Sequence, residues 1–313
     1  MFVTEHLDRA SKPLYSYEII PPPRGKSARD ILDIVAQLYP YDPPFIDVTS
    51  HPAEAYYEEL NDGSIKRRVR RKRPGTISIC GIIQNRYKID TVPHLLCRGF
   101  SREETEDVMI ELNYLGIHNV LAIRGDEPNY KKPVDSSRTV NVYASELVEQ
   151  LNDLRAGKYL EAMVGSEPIS MCIGVGSYPE KHDESPNVAT DIRFLKQKVD
   201  CGANYVVTQM FFDNKSYFAF VDGCRKAGIT VPIIPGLKIL SSASQLNSLP
   251  KNFHISLPEE LVEEIHTNPK HVREIGVRWA TRQCRELLDS GARCIHFYII
   301  NDAKAVIDVI THL

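Results

Sequence analysis

Eight short runs rich in β-branched and aromatic residues, each bounded by Gly, Pro or Asn, alternate along this chain with longer segments of helical periodicity. The runs read as strands at Tyr15–Ile20, Phe45–Ser50, Thr91–Cys97, Asn119–Arg124, Ile169–Gly176, Tyr205–Met210, Ile233–Leu237 and Cys294–Ile300. Strand and helix in strict alternation is the signature of parallel βαβ units. Eight such pairs in 313 residues predict a (β/α)8 barrel, an α/β fold with residues 1–313 in a single domain. One intervening helix carries its own punctuation: Ser101 as N-cap, Glu104 three residues on and Gly116 just past the end. T-I-S-I-C-G-I-I, Thr76 to Ile83, has strand-like propensity, yet a strand there leaves too little chain for a helix before Thr91. A helix opened by Pro74 is therefore the reading taken.

Composition excludes several classes. With 42% hydrophobic and 25% charged residues and a net charge of −3, the chain has no overall attraction for nucleic acid or a membrane surface. No apolar run approaches 18 residues and the first ten lack a signal-like core, so a cytoplasmic location is expected. The seven cysteines are odd in number and contain no C-x-x-C pair, which fits neither a disulfide framework nor a zinc site; no metal is expected.

Barrel enzymes carry their chemistry where strands end and βα loops begin. Polar residues gather at those positions: Glu18 late in the first strand, Thr49 after the second, His94 on the third, Arg124 and Asp126 after the fourth. Tyr178 and His182 follow the fifth, Thr208 and Gln209 end the sixth, and His296, Tyr298 and Asn301 belong to the eighth. Each alone is open to the alternative of a satisfied core polar group. Glu18 raises the sharper question, because Y-S-Y-E-I-I-P-P-P sets one carboxylate in an apolar strand that then stops on three prolines. A buried glutamate must find a partner or take up a proton.

The blocks E-I-I-P-P-P, P-H-L-L-C, N-V-L-A-I-R-G-D-E-P, Y-A-S-E-L, S-Y-P-E-K-H, L-K-Q-K-V-D-C-G-A, T-Q-M-F-F-D, P-I-I-P-G and I-H-F-Y-I-I-N occur in this order over nearly the whole chain. In them the sequence resembles the methylenetetrahydrofolate reductase family, in its short form without a regulatory region. The resemblance implies an FAD-dependent oxidoreductase of one-carbon metabolism and methionine biosynthesis that reduces 5,10-methylenetetrahydrofolate to 5-methyltetrahydrofolate. It further implies NAD(P)H or a redox protein as electron donor, and a homo-oligomer. I-G-V-G-S-Y-P, with Gly174 and Gly176, lacks the third glycine of a dinucleotide fingerprint and reads instead as a close backbone approach.

By the same resemblance, Glu18 matches the general acid. Protonating a ring nitrogen opens the folate's five-membered ring to an iminium, which needs a carboxyl still protonated near neutrality, and burial beside Ile19 and Ile20 would supply that. Asp126 matches the aspartate beside flavin and pterin, where an anion favours the cation. FAD contacts are implied at Ser50, His94, Arg124, Gly125, Asp126, Tyr143, Ala144, Tyr178, His182, Asp191 and Lys198. Thr49, Gln209 and Tyr298 are implied on the substrate side. Two departures stand out: no aromatic follows P-G-L, Ala243 being the nearest position, and Asp302 replaces a common arginine.

H-P-A-E-A-Y-Y-E-E-L, residues 51–60, stands where the family resembled has a glycine-rich loop, and it leads into a charged arm over residues 54–75. Asp62-Gly63 between two β-prone runs predicts a hairpin arm, and seven of the eight residues from 66 to 73 are basic. A solvated face, a site for a polyglutamyl folate tail and a docking site for an acidic donor all remain open for it. Two other classes also remain: a different flavin-barrel oxidoreductase of the proline dehydrogenase type, and a non-enzymatic binding barrel that uses the arm.

Overall fold

The computed structural model describes residues 1–126, 130–299 and 303–313. Its strands, in chain order, are β1 (Leu14–Ile19), β2 (Phe45–Val48), β3 (Ala53–Glu59), β4 (Ile65–Arg71), β5 (Asp90–Leu96), β6 (Asn119–Ile123), β7 (Cys172–Ser177), β8 (Tyr205–Thr208), β9 (Ile233–Ile234), β10 (Gly236–Leu237) and β11 (Cys294–Tyr298). Helices α1 (Val3–Arg9), α2 (Arg29–Leu38), α3 (Thr76–Tyr87), α4 (Arg102–Tyr114), α5 (Ala144–Arg155), α6 (Val188–Asp200), α7 (Asn214–Lys226), α8 (Gln245–Phe253), α9 (Glu259–Thr267), α10 (Val272–Asp289) and α11 (Lys304–Ile310) alternate with them.

Nine of these strands form one parallel sheet in the order β10-β11-β1-β2-β5-β6-β7-β8-β9. The two ends, β9 and β10, are the same run of chain interrupted at Pro235, which has no N–H to give to a ladder. The sheet therefore closes on itself as the eight staves of a (β/α)8 barrel. All eight expected strands are found, most of them shorter at the ends. The fifth begins at Cys172 rather than Ile169, because the Ile169 N–H turns back to the Leu154 carbonyl at the end of α5. Ile300, the expected end of the eighth, lies outside the described residues, as do Asn301 and Asp302. The ambiguous segment from Thr76 is helix α3, and the Ser101–Glu104 capping box opens α4 as read.

Strand side chains alternate between the barrel interior and the helices. On β1, Tyr17 and Ile19 face outward into the layer packed on the helices, so Leu14, Ser16 and Glu18 face inward. The lower interior is apolar: Phe45, Val92, Leu121, Cys172, Tyr205, Val207, Ile234 and Cys294 pack together, and α1 plugs that end with Val3 and Leu7. Gly174 is needed within this packing, because a Cβ there would lie 2.3 Å from the Tyr205 ring. All seven cysteines are free thiols. Strands β3 and β4 form a separate antiparallel hairpin, and no described helix is long and apolar enough to cross a membrane.

Candidate active site

The inward rows of the barrel change from apolar to polar toward the C-terminal ends of the strands. Glu18 reaches the His94 Nε2 at 3.5 Å, and the same nitrogen lies 3.5 Å from Asp47 Oδ2. Asp47 in turn faces His296 Nδ1 at 3.9 Å, and that nitrogen is hydrogen-bonded to Ser16 Oγ at 2.9 Å. Contacts of 3.5 Å are charge contacts rather than full hydrogen bonds. Both Asp47 oxygens and His94 Nε2 are therefore buried without a hydrogen-bond partner among the described residues, as are Thr49 Oγ1 and His51 Nδ1.

Burial dominates the electrostatics of this group. It pushes the Glu18 carboxyl up to about 7 from the ordinary 4.5, against the field of His94 and with that of Asp47. Burial also opposes the His94 imidazolium, but the contact with Asp47 and the charge of Glu18 outweigh it, so the His94 pKa rises. At His296 burial, helped by the charge of His94, outweighs the field of Asp47, so its pKa is pushed down to about 4 and it is neutral near pH 7. The expected source of the Glu18 environment needs correcting. Ile19 points to the helices because side chains alternate, and the groups facing Glu18 are the polar ones of the neighbouring strands.

Tyr298 sits beside Glu18 in the β1–β11 register. Its hydroxyl donates to the Thr208 carbonyl at 2.6 Å, so within this cluster it serves as a wall of the site rather than as a donor to a ligand. On β8, Tyr205 and Val207 face inward, and the alternation carries Gln209 to the same side; its Oε1 accepts from the Met210 N–H at 2.9 Å. Thr49 continues the inward row of Phe45 and Asp47.

A second cluster lies across the mouth, over β5, β6 and β7. Arg124 pairs with Glu184, and Lys198 donates to the Gly176 carbonyl at 2.5 Å. Asp191 accepts from the His182 N–H and from Ser185 Oγ, each at 2.9 Å, so both its oxygens are engaged within the chain. Tyr178 stacks edge-on against His182 with centroids 4.7 Å apart. Gly125, two residues past β6, has φ +84°, a backbone that other residues rarely adopt. Asp126 is exposed next to it, within the field felt by His51 and Tyr178. Burial lowers the pKa of His182, and it brings the Lys198 ammonium down to about 8. Ser50 is half-buried at the rim after β2. Tyr143 and Ala144 open α5, with the Tyr143 ring exposed, and the described contacts join them to neither cluster.

Asp47, His51, Glu184 and Lys238 belong to the site although their motifs did not single them out. Asp47 was within reach of the sequence, since F-I-D-V places it on the face of buried Phe45. The other three depend on loops and neighbouring strands meeting in space.

The β3–β4 hairpin is anchored at the same mouth. Arg24 N–H donates to the Lys72 carbonyl at 2.7 Å, and Arg73 donates to the Pro21 carbonyl at 2.7 Å, three residues beyond Glu18. Arg71 lies over the Phe100 ring at 4.7 Å and Arg67 over Tyr130 at 5.5 Å, so the arm leans over the loops after β5 and β6. Arg68 is paired with Glu58 at 2.8 Å.

A family model described as methylenetetrahydrofolate reductase matches residues 3–313. Methylenetetrahydrofolate reductase 1 of Schizosaccharomyces pombe is 31% identical over 98% of this chain, which covers 47% of that protein. The 5,10-methylenetetrahydrofolate reductase of Pectobacterium carotovorum is 29% identical over 92% of this chain and 86% of its own. The chain thus spans about half the length of the eukaryotic relatives and most of the bacterial ones. Among solved structures, an uncharacterized protein from Clostridium thermocellum that binds two copies of 5-methyl-5,6,7,8-tetrahydrofolic acid superposes with a TM-score of 0.58, covering 99% of this chain and 97% of its own. At 13% identity that likeness concerns the fold alone.

Proposed function

The chain belongs to the methylenetetrahydrofolate reductase family, and from that premise we propose that it reduces 5,10-methylenetetrahydrofolate to 5-methyltetrahydrofolate, with FAD as hydride carrier and NAD(P)H or a redox protein as electron donor. The observation that carries the reading is Glu18, a carboxyl held near neutrality at the end of β1 and facing the open end of the barrel. The second cluster fits a flavin nucleotide. Arg124 and Lys198 supply positive charge for a pyrophosphate, Gly125 allows a close backbone approach, and Thr49 and His51 keep polar atoms without hydrogen-bond partners among the described residues.

When bound, the flavin supplies the hydride; the protein's residues do the rest. Glu18 holds the proton on its carboxyl and delivers it to the ring nitrogen that must become a leaving group. His94 and Asp47 keep the carboxyl in place, and His94 stabilises the carboxylate that remains. Gln209 meets the pterin edge with its amide group, since its Oε1 is already used by the backbone. Thr49 lines the side where a nicotinamide would enter. Tyr298 and the apolar interior below exclude water from the proton's path.

The test is whether purified protein carries flavin absorbance, and whether methylenetetrahydrofolate oxidises that flavin once it is reduced. Bound flavin that is reduced by an amine such as proline, and once reduced is not reoxidised by the folate, would mark another flavin-barrel oxidoreductase. A barrel with no flavin would end the proposal. Asp126→Asn adds a second reading: with one negative charge removed beside the flavin, the midpoint potential should rise and the folate half-reaction slow about tenfold, or 1.4 kcal/mol of transition-state stabilisation. An unchanged potential with both half-reactions intact rejects that role.

The basic arm extends this reading to the folate tail, whose glutamates would leave the mouth past Pro21 and meet Arg73 first. Exposed charge pairs contribute about 0.2–1 kcal/mol each and fade with salt. Neutralising Arg67, Arg68, Arg70 and Arg71 together should raise KM for a polyglutamyl substrate about tenfold more than for the monoglutamyl form, with kcat little changed. Equal effects on both substrates return the arm to a solvated face. Slower flavin reduction by an acidic protein donor alone would make it the donor's docking site.

A further inference from the structure

Lys238 is a buried lysine just past β10, with 8% of its surface exposed. Its Nζ donates to the Tyr298 carbonyl at 2.7 Å, and among the described residues no carboxylate lies within 4.0 Å of it. The register explains where the charge lies. Gly236 pairs with His296 and Leu237 with Phe297, so Lys238 falls in line with Tyr298, which itself pairs with Glu18. Lys238 and Glu18 are therefore two strands apart in one row, about 10 Å between backbones, and the lysine stem spans much of that gap. A buried ammonium without an ion-pair partner is unfavourable unless a nearby negative charge or dipole offsets it. The Tyr298 carbonyl supplies the dipole, and the charge it can serve is on Glu18.

We propose that Lys238 is a positioning residue for proton donation: its ammonium stabilises the carboxylate that Glu18 becomes when it gives up its proton, and so sets how strong an acid Glu18 is. This rests on the reading of Glu18 as the general acid. The other groups facing Glu18 are His94 from β5, Asp47 from β2, and Tyr298 with His296 behind it on β11. Asp47 opposes ionisation of Glu18, whereas His94 and Lys238 favour it. Of the two favourable groups among the described residues, His94 also touches Asp47, whereas Lys238 is anchored on the Tyr298 carbonyl, so its charge is not shared with the second carboxylate. Burial also brings its own ammonium down to about 8, which leaves it charged where Glu18 titrates.

The sign follows directly. An ammonium nearby favours the carboxylate, so removing it should make Glu18 a weaker acid by about one pH unit. The readout is the infrared carboxyl band of the resting protein, assigned by its absence in Glu18→Gln and followed against pH. Lys238→Met should move its midpoint up by about one unit and Lys238→Gln by a similar amount, since Gln keeps a donor for Tyr298 but no charge, while Lys238→Arg should stay near the native value. In folate turnover the two neutral variants should lower kcat, move the alkaline limb of the pH profile upward and leave KM little changed. A midpoint unmoved in Lys238→Gln, or moved equally in Lys238→Arg, overturns the proposal. If Lys238→Met fails to fold, Lys238→Gln reads the same quantity. Because the band is measured without folate, the role of Lys238 can fail while the reductase reading stands, and the reverse.

Discussion

Glu18→Gln should leave flavin binding and flavin reduction by the native donor intact while slowing reoxidation by methylenetetrahydrofolate by roughly 10²–10⁴-fold, the usual contribution of a positioned acid. Glutamine has the shape of the protonated carboxyl but no proton to give, and donor-to-flavin transfer needs none. Stopped-flow measurement of the two half-reactions separates the steps; near-native folate turnover would remove Glu18 from the role. In the native protein the folate half-reaction should fall as pH rises through about 7, where Glu18 ionises.

The same carboxyl links stability to pH. Its folded value lies above the unfolded 4.5, so the folded state binds more protons between 4.5 and about 7. Its contribution is fully present below 4.5 and is lost as pH rises through about 7, on the order of 3 kcal/mol. His94, also raised, acts in the same direction. The denaturant midpoint should therefore be higher at pH 5 than at pH 8 in the native protein, and the gap should narrow in Glu18→Gln.

Gly236→Ala should be among the most disruptive single-methyl changes in the barrel. A Cβ at Gly236 would lie 2.3 Å from the Thr208 carbonyl oxygen and 2.7 Å from the Tyr298 ring. That carbonyl is the acceptor for the Tyr298 hydroxyl, and the Gly236 N–H donates to Thr208 Oγ1 at 2.9 Å. Backbone cannot rotate away as a side-chain tip can, so β8, β10 and β11 would have to separate. A loss of about 3 kcal/mol is expected, lowering Tm by roughly 5–10 °C, with folate turnover impaired as Tyr298 and Lys238 shift. A variant as stable and active as the native protein would mean the three strands are not in this register.

Much of this architecture is legible in the order of residues. The alternation of β-branched runs with amphipathic segments specifies eight strand-and-helix pairs, because a parallel strand buried on both faces must be apolar and must be followed by a crossover. Ser101 and Glu104 mark the start of α4 for a local reason, since both act within one helical turn. Glu18 was conspicuous because a carboxylate in an apolar strand is costly wherever that strand lies. Pro235 was visible too, but not that it divides one stave into two short strands that seam the barrel closed.

What tertiary structure alone decided is which polar groups share a dielectric. The residue next to Glu18 in sequence, Ile19, faces away from it, while His94, Asp47, Tyr298 and Lys238 come from 29 to 280 positions along the chain. The direction of the Glu18 shift follows from burial, which the strand pattern foreshadows. Its balance follows from which charges stand on adjacent strands, and that is set by register. A register is a property of strand pairs, fixed by closure of the whole barrel, and no local run of residues encodes it. Lys238 shows this most plainly: in sequence it is a lysine after P-G-L, and only the pairing of Leu237 with Phe297 brings its charge into line with the acid.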